Sequence, residues 1–190
     1  MYELPTTVII DGHEYAVRDK GDFRTILGCI SLIQDVDLTN EEKVLSALMI
    51  FLEGFDTPED VIDEFKNLQT PIDEMFNFIS CNDNQIGCKV NHKVMDWEQD
   101  EKLIISAING IAKTEVRALE YLHWWTFISY FMAIGECSFS TIVGIREKII
   151  KGKKLEKYER EFKRDNPQYF MWKSEIESEN KLIEQLWNKQ

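Results

Sequence analysis

Proline and glycine are scarce in this 190-residue chain, at 4 and 9. That scarcity excludes a loop-rich or low-complexity protein and favours long regular elements. Basic residues are outnumbered: 22 Lys and Arg stand against 34 Asp and Glu, a formal net charge of -12. Such a balance argues against general nucleic-acid binding and against adsorption to anionic membranes. No apolar run reaches the roughly 20 residues that span a bilayer. Cys-x-x-Cys pairs are absent, since Cys29, Cys81, Cys88 and Cys137 stand apart. Cys29 and Cys137 sit in apolar helical patterns, where free cysteine is an ordinary core residue. The opening Met1-Tyr-Glu-Leu-Pro has no basic start and no apolar run, so no secretory signal is expected and a reducing cytosol is. Phosphate-cradling glycine loops, nucleophile elbows and His-Glu-x-x-His helices are missing too. The three histidines, His13, His92 and His123, are too scattered for a triad. A protein that is not an enzyme, with no cofactor or metal, is the expectation.

What remains is enough to build a core, with 44% hydrophobic and 12% aromatic residues. The length fits one domain, or one domain with an appendage. Asp11-Gly12 between Thr6–Ile10 and His13–Val17 predicts a β-hairpin, because a type I′ turn needs positive φ at both central residues. Everything after it reads as helix. Asp22 caps a helix through about Gln34. Thr39 and Glu42 make a capping box before Val44, Leu48, Phe51, Leu52 and Phe55, closed by Gly54. Thr57-Pro58-Glu59-Asp60 and Thr70-Pro71-Ile72-Asp73 each place a threonine cap, a first-turn proline and carboxylates where a helix N-terminus favours them. Ser80–Asp96 is the main loop. An amphipathic helix is predicted over Trp97–Ala112 with Leu103, Ile104, Ala107, Ile108 and Ile111 inward. Ser138 opens another through Ile150, with Phe139, Ile142, Val143 and Ile149 inward, and a last helix carries Trp172, Ile176, Ile183 and Trp187. The fold class is mainly α, a helical bundle over 1–150 with a small N-terminal hairpin and a charged helical C-terminal extension over 151–190.

Leu122–Ile134 is apolar almost all round a helical wheel and holds two of the five tryptophans. At about 1.5 Å per residue it is too short to cross a bilayer, so it is buried by its own core or by a partner. Trp124 and Trp125 point about 100° apart; one suits the core and the other an interface, or both are enclosed between helices. His123, Thr126 and Tyr130 share one face, which points to an internal hydrogen-bond network more than to catalysis. Cys81, Cys88 and His92, with His123 or His13, could hold zinc. The six-residue gap is wrong for a tight-turn ligand pair, and a polar loop with unrelated thiols is the better reading. From Arg146 to Arg164 nine Lys/Arg face four Asp/Glu. A solvated helix with Glu147–Lys151 and Glu156–Arg160 pairs accounts for most of that run, the other use being a grip on an acidic protein surface.

The chain resembles the gene-product-fifteen family of phage proteins, found in siphophages and prophages of Gram-positive bacteria. The resemblance is carried by Leu4-Pro5, Ile10-Asp11-Gly12-His13-Glu14-Tyr15, Asp22-Phe23-Arg24, Asp35-x-Asp37-Leu38, Glu41-Glu42-Lys43 and Trp97-Glu98-Gln99-Asp100. Its most specific part is His123-Trp124-Trp125-x-Phe127, followed by Phe139, Ile142 and Ile145-Arg146. Membership implies a gene between those for the major tail protein and the tape measure, and hence a role in tail morphogenesis. A non-enzymatic assembly chaperone in the host cytoplasm follows, binding the tape measure or major tail protein but neither nucleic acid nor membrane. The alternative is a structural component retained in the virion tail. Trp124, Trp125, Phe131 and Arg146 are the candidate partner-interface residues, and self-association as a homo-oligomer is left open.

Overall fold

The computed structural model describes residues 3–83 and 93–172. The chain forms two compact units, Met1–Lys89 with Ile108–Ala133 and Val90–Ala107 with Ile134–Gln190. The molecule is mainly helical with one small two-stranded sheet among the described residues.

In the first unit Asp11 and Gly12 turn with φ of 50° and 85°, as a type I′ turn requires. Strands β1 (Thr7–Ile10) and β2 (His13–Ala16) pair antiparallel, Ile10 opposite His13. Val8 and Ile10 are buried and Ile9 is exposed, so the strand has one face on the core. Helix α1 (Phe23–Gln34) starts where the Asp22 carboxylate accepts from the Arg24 N–H. Helix α2 (Asn40–Phe51) carries the predicted Thr39–Glu42 capping box, and α3 (Pro58–Glu64) the same device from Thr57 and Asp60. α1 packs on α2, and α2 packs on α3. Gly54 does not close α2, which ends at Phe51 because Leu52 is extended and bridges Val17.

Helix α4 (Gln69–Ile79) departs from expectation at its start. Thr70 is not the cap. The Asn67 side chain accepts from the Gln69 N–H at 3.0 Å and starts the helix earlier, which leaves Pro71 still in the first turn, where its missing N–H costs nothing. α4 packs on α2 and on β1. Helix α5 (Glu101–Ala112) begins after Trp97, because the Asp96 carboxylate draws the Glu98 and Gln99 N–H groups into a turn. It buries Ile104, Ile105 and Ile108 and leaves Ile111 exposed, so its inner face is rotated toward Ile105. Helix α6 (Trp124–Met132) packs on α1.

The second unit contains α7 (Ser138–Ile150) and α8 (Lys157–Asp165). Ser138 is the first helical residue rather than the cap. The Cys137 N–H at the cap position donates to Ser140 Oγ at 2.9 Å. Phe139, Ile142, Ile145 and Arg146 are buried, whereas Ile149 is exposed. Lys151 pairs with Glu147 as expected. The Glu156–Arg160 pair is replaced, because Arg160 donates to the Leu155 carbonyl and the Glu156 N–H is held by Glu159. Cys88, His92, Ile176, Ile183 and Trp187 lie outside the described residues.

Candidate functional site

Two stretches a hundred residues apart meet around the start of α6. Before α1 the backbone makes an unusual turn: Asp19, Lys20 and Gly21 have φ of 51°, 54° and 75°. Only the third is glycine, and it has a second reason to be one. A Cβ on Gly21 would lie 2.7 Å from Phe78 Cζ and 3.2 Å from His123 Nε2. The turn delivers Asp22, which uses both carboxylate oxygens. Oδ1 caps α1, while Oδ2 accepts from the Leu122 N–H at 2.9 Å. The Phe23 N–H answers by donating to the Leu122 carbonyl, also at 2.9 Å.

Arg24 completes the stitch. Its Nη1 binds the Asp22 carboxylate at 3.0 and 3.1 Å, and its Nη2 donates to the carbonyls of Leu119 at 2.6 Å and Arg117 at 3.1 Å. A rigid planar fork with several donors is suited to holding such a turn. The ring of Phe23 stacks on Phe127 with centroids 4.5 Å apart and planes 9° from parallel.

His123 caps α6. Its Nδ1 accepts from the Trp125 N–H at 3.0 Å, so that nitrogen carries no proton, and Nε2–H is left to donate to the Pro5 carbonyl at 2.8 Å. One buried imidazole thus joins the segment before the hairpin to the start of a helix. Its partners are Pro5 and Trp125, not the Thr126 and Tyr130 of its own helical face. Both neighbouring tryptophans then close on the end of α4. The indole N–H of Trp124 donates to the Ile79 carbonyl at 2.8 Å and that of Trp125 to the Phe78 carbonyl at 2.9 Å. The Ile79 carbonyl is one that a helix C-terminus leaves open, and the Phe78 carbonyl accepts from the Cys81 N–H as well.

The second unit has its own buried polar centre. The side chains of Arg146 and Asp100 are 4% and 1% exposed and form a bidentate pair at 2.6 and 2.9 Å. Arg146 also donates to the carbonyls of Tyr169 and Val94, and Trp172 stacks on its guanidinium with the centroid 4.4 Å from Cζ. Asp100 accepts from the Asp96 N–H as well. Burial pulls Asp96 upward, but bonds from the Gln99 and Glu98 N–H groups and from Lys93 outweigh it and hold its carboxyl below the usual range.

Of the four candidate interface residues, Trp124 and Arg146 therefore belong to the interior, because their polar atoms are the crosslinks just described. Trp125 and Phe131 are half-buried. Sequence reasoning missed Pro5, Asp22, Arg24 and Asp100 as tie points, and nothing in composition or spacing marks such long-range pairs. What it overlooked on α6 is the second face. Trp125, Ile128 and Met132 follow one another at i, i+3 and i+7, the first two half-exposed and Met132 77% exposed. Among the described residues no group of three or more His, Cys, Asp or Glu is placed to hold a metal, and no helix is long and apolar enough to cross a membrane.

Fold and site define an acidic helical protein whose buried polar groups tie backbone segments together. The chain belongs to the bacteriophage Gp15 protein family, whose model matches residues 1–170. No curated protein and no solved structure matches it.

Proposed function

We propose that the protein is a non-enzymatic assembly chaperone of the phage tail, which binds an apolar helical segment of another tail component such as the tape measure. The observation that carries this reading is the outer face of α6. Trp125, Ile128 and Met132 form an apolar line on a helix whose inner face is pinned by Trp124 and Phe127. A rigid helix that presents a half-buried tryptophan beside an exposed methionine suits an amphipathic partner helix. The buried His123, Asp22, Asp100 and Arg146, and the exposed Arg24, hold backbone groups, which supports a binding role over chemistry.

Deleting the gene and imaging the particles tests the role: absent or malformed tails are expected, and normal infectious tailed particles refute it. Ile128→Asp with Met132→Asp changes only the outer face and is expected to reproduce the deletion with the fold intact. Mass spectrometry of purified particles then separates a chaperone, absent from them, from a structural component that stays in the tail.

A further inference from the structure

Charge is distributed very unevenly along this chain. Residues 35–74 hold twelve Asp/Glu and two Lys/Arg, whereas Arg146–Arg164 hold nine Lys/Arg and four Asp/Glu. Much of the basic run is neutralised at home: Arg146 on Asp100, Lys148 on Glu159, Lys151 on Glu147 and Arg164 on Asp165. Lys154, Lys157 and Lys163 are exposed and form no salt bridge among the described residues, and exposed Lys153 acts on Glu147, which Lys151 already holds. In their midst Tyr158 is 62% exposed. This elbow between α7 and α8 is a cationic rim around an aromatic centre. The opposite arrangement stands on α3, where Ile62 is 52% exposed and the exposed carboxylates of Glu59 and Asp63 flank it. An apolar centre with a charged rim is the anatomy of a protein interface.

We propose that the α7–α8 elbow of one molecule seats on the α3 face of a second copy of this chain. The net charge of -12 disfavours a polyanion at the elbow, and one exposed aromatic offers little to stack bases on. Repulsion between the acidic remainders is screened beyond about 8 Å at physiological salt, so the facing patches decide. The two surfaces differ, so the contact is head-to-tail and either closes a ring or extends a chain. It uses none of the α6 residues and is independent of the chaperone reading.

Sedimentation velocity of the full chain is the test. Association that grows with concentration at physiological salt and disappears at high salt is expected. Lys153→Glu, Lys154→Glu and Lys157→Glu together weaken it at least about tenfold, with unchanged circular dichroism. Glu59→Lys with Asp63→Lys does the same. Mixing these two variants pairs opposite charges at both contacts between unlike molecules, so oligomers that alternate the two variants are expected to return and to disappear again at high salt. A monomer at every concentration and salt overturns the proposal, as do oligomers indifferent to salt or to either variant.

Discussion

Replacing Arg146 by methionine is the sharpest test of what holds the second unit. Methionine keeps much of the side chain's length but removes the guanidinium from Asp100, whose side chain is 1% exposed. Breaking a buried pair by deleting one partner leaves an uncompensated charge and costs roughly 3–5 kcal/mol. The carbonyls of Tyr169 and Val94 lose their donor, and the ring of Trp172 loses the nearer of its two cations, Lys93 remaining 5.2 Å from the centroid. Each buried acceptor left open costs about 1–3 kcal/mol, and the cation–π contact about 1–2 kcal/mol. These terms overlap, so the whole effect is placed at about 4–6 kcal/mol, comparable with the stability of many domains.

The companion variant is Asp100→Asn together with Arg146→Met. Asparagine can still accept from the Asp96 N–H but carries no buried charge. It is expected to recover at least about 2 kcal/mol of the loss, because a buried pair removed as a whole is often near neutral. Urea denaturation followed by circular dichroism and tryptophan fluorescence gives both numbers. An Arg146→Met protein within about 1 kcal/mol of the parent, or a double variant that is merely additive, refutes the reasoning.

Gly21→Ala combines positive φ with a Cβ 2.7 Å from Phe78 and should destabilise by about 2–4 kcal/mol. Gly12→Ala, at φ 85° with nothing within 4 Å, should cost only about 1 kcal/mol; equal losses in urea melts would rule out the steric argument. Stability should also fall on acidification. Thr39 and Thr57 hydroxyls, with their backbone N–H groups, hold Glu42 and Asp60 below the usual carboxylate range, and Arg117 pulls Glu115 from 4.5 to about 2. A depressed folded pKa stabilises above the unfolded value, and that contribution is lost as pH falls through the folded one. Thermal melts should therefore drop between about pH 4.5 and 2. Glu42→Gln with Asp60→Asn should flatten that drop, and an unchanged slope would count against the capping bonds.

Local signals were legible wherever one short segment decides the outcome. The hairpin follows from Asp11-Gly12, and the Thr39 and Thr57 boxes follow from hydroxyl and carboxylate three residues apart. The same rule failed at Thr70, because Asn67 reaches the Gln69 N–H first and two overlapping caps compete for one helix start. Long-range pairing was not legible. Nothing local in Asp22 predicts that its second oxygen meets Leu122, and Arg146 reads as one more cation in a basic run until Asp100 is found against it.

Several of the residues that carry the family resemblance are joined to one another, each set within its own unit of the fold. Asp22-Phe23-Arg24 meets the segment leading into His123-Trp124-Trp125-x-Phe127 through hydrogen bonds and the Phe23–Phe127 stack, His123 reaches back to Pro5, and Asp100 closes on Arg146. These members specify how backbone segments are tied: changing Asp22, His123, Asp100 or Arg146 leaves a buried polar group behind, and truncating Phe23 or Phe127 leaves a cavity. Recognition draws on other atoms. Trp125 stands at the division: its indole N–H is tied to Phe78 while its ring is half-exposed beside Ile128 and Met132. Changes at Asp22, Arg24 or His123 should therefore act through stability, and changes at Ile128 or Met132 should leave the melt intact and alter binding alone. A partner whose affinity followed the melting temperature of every variant, outer-face ones included, would place recognition in the framework instead.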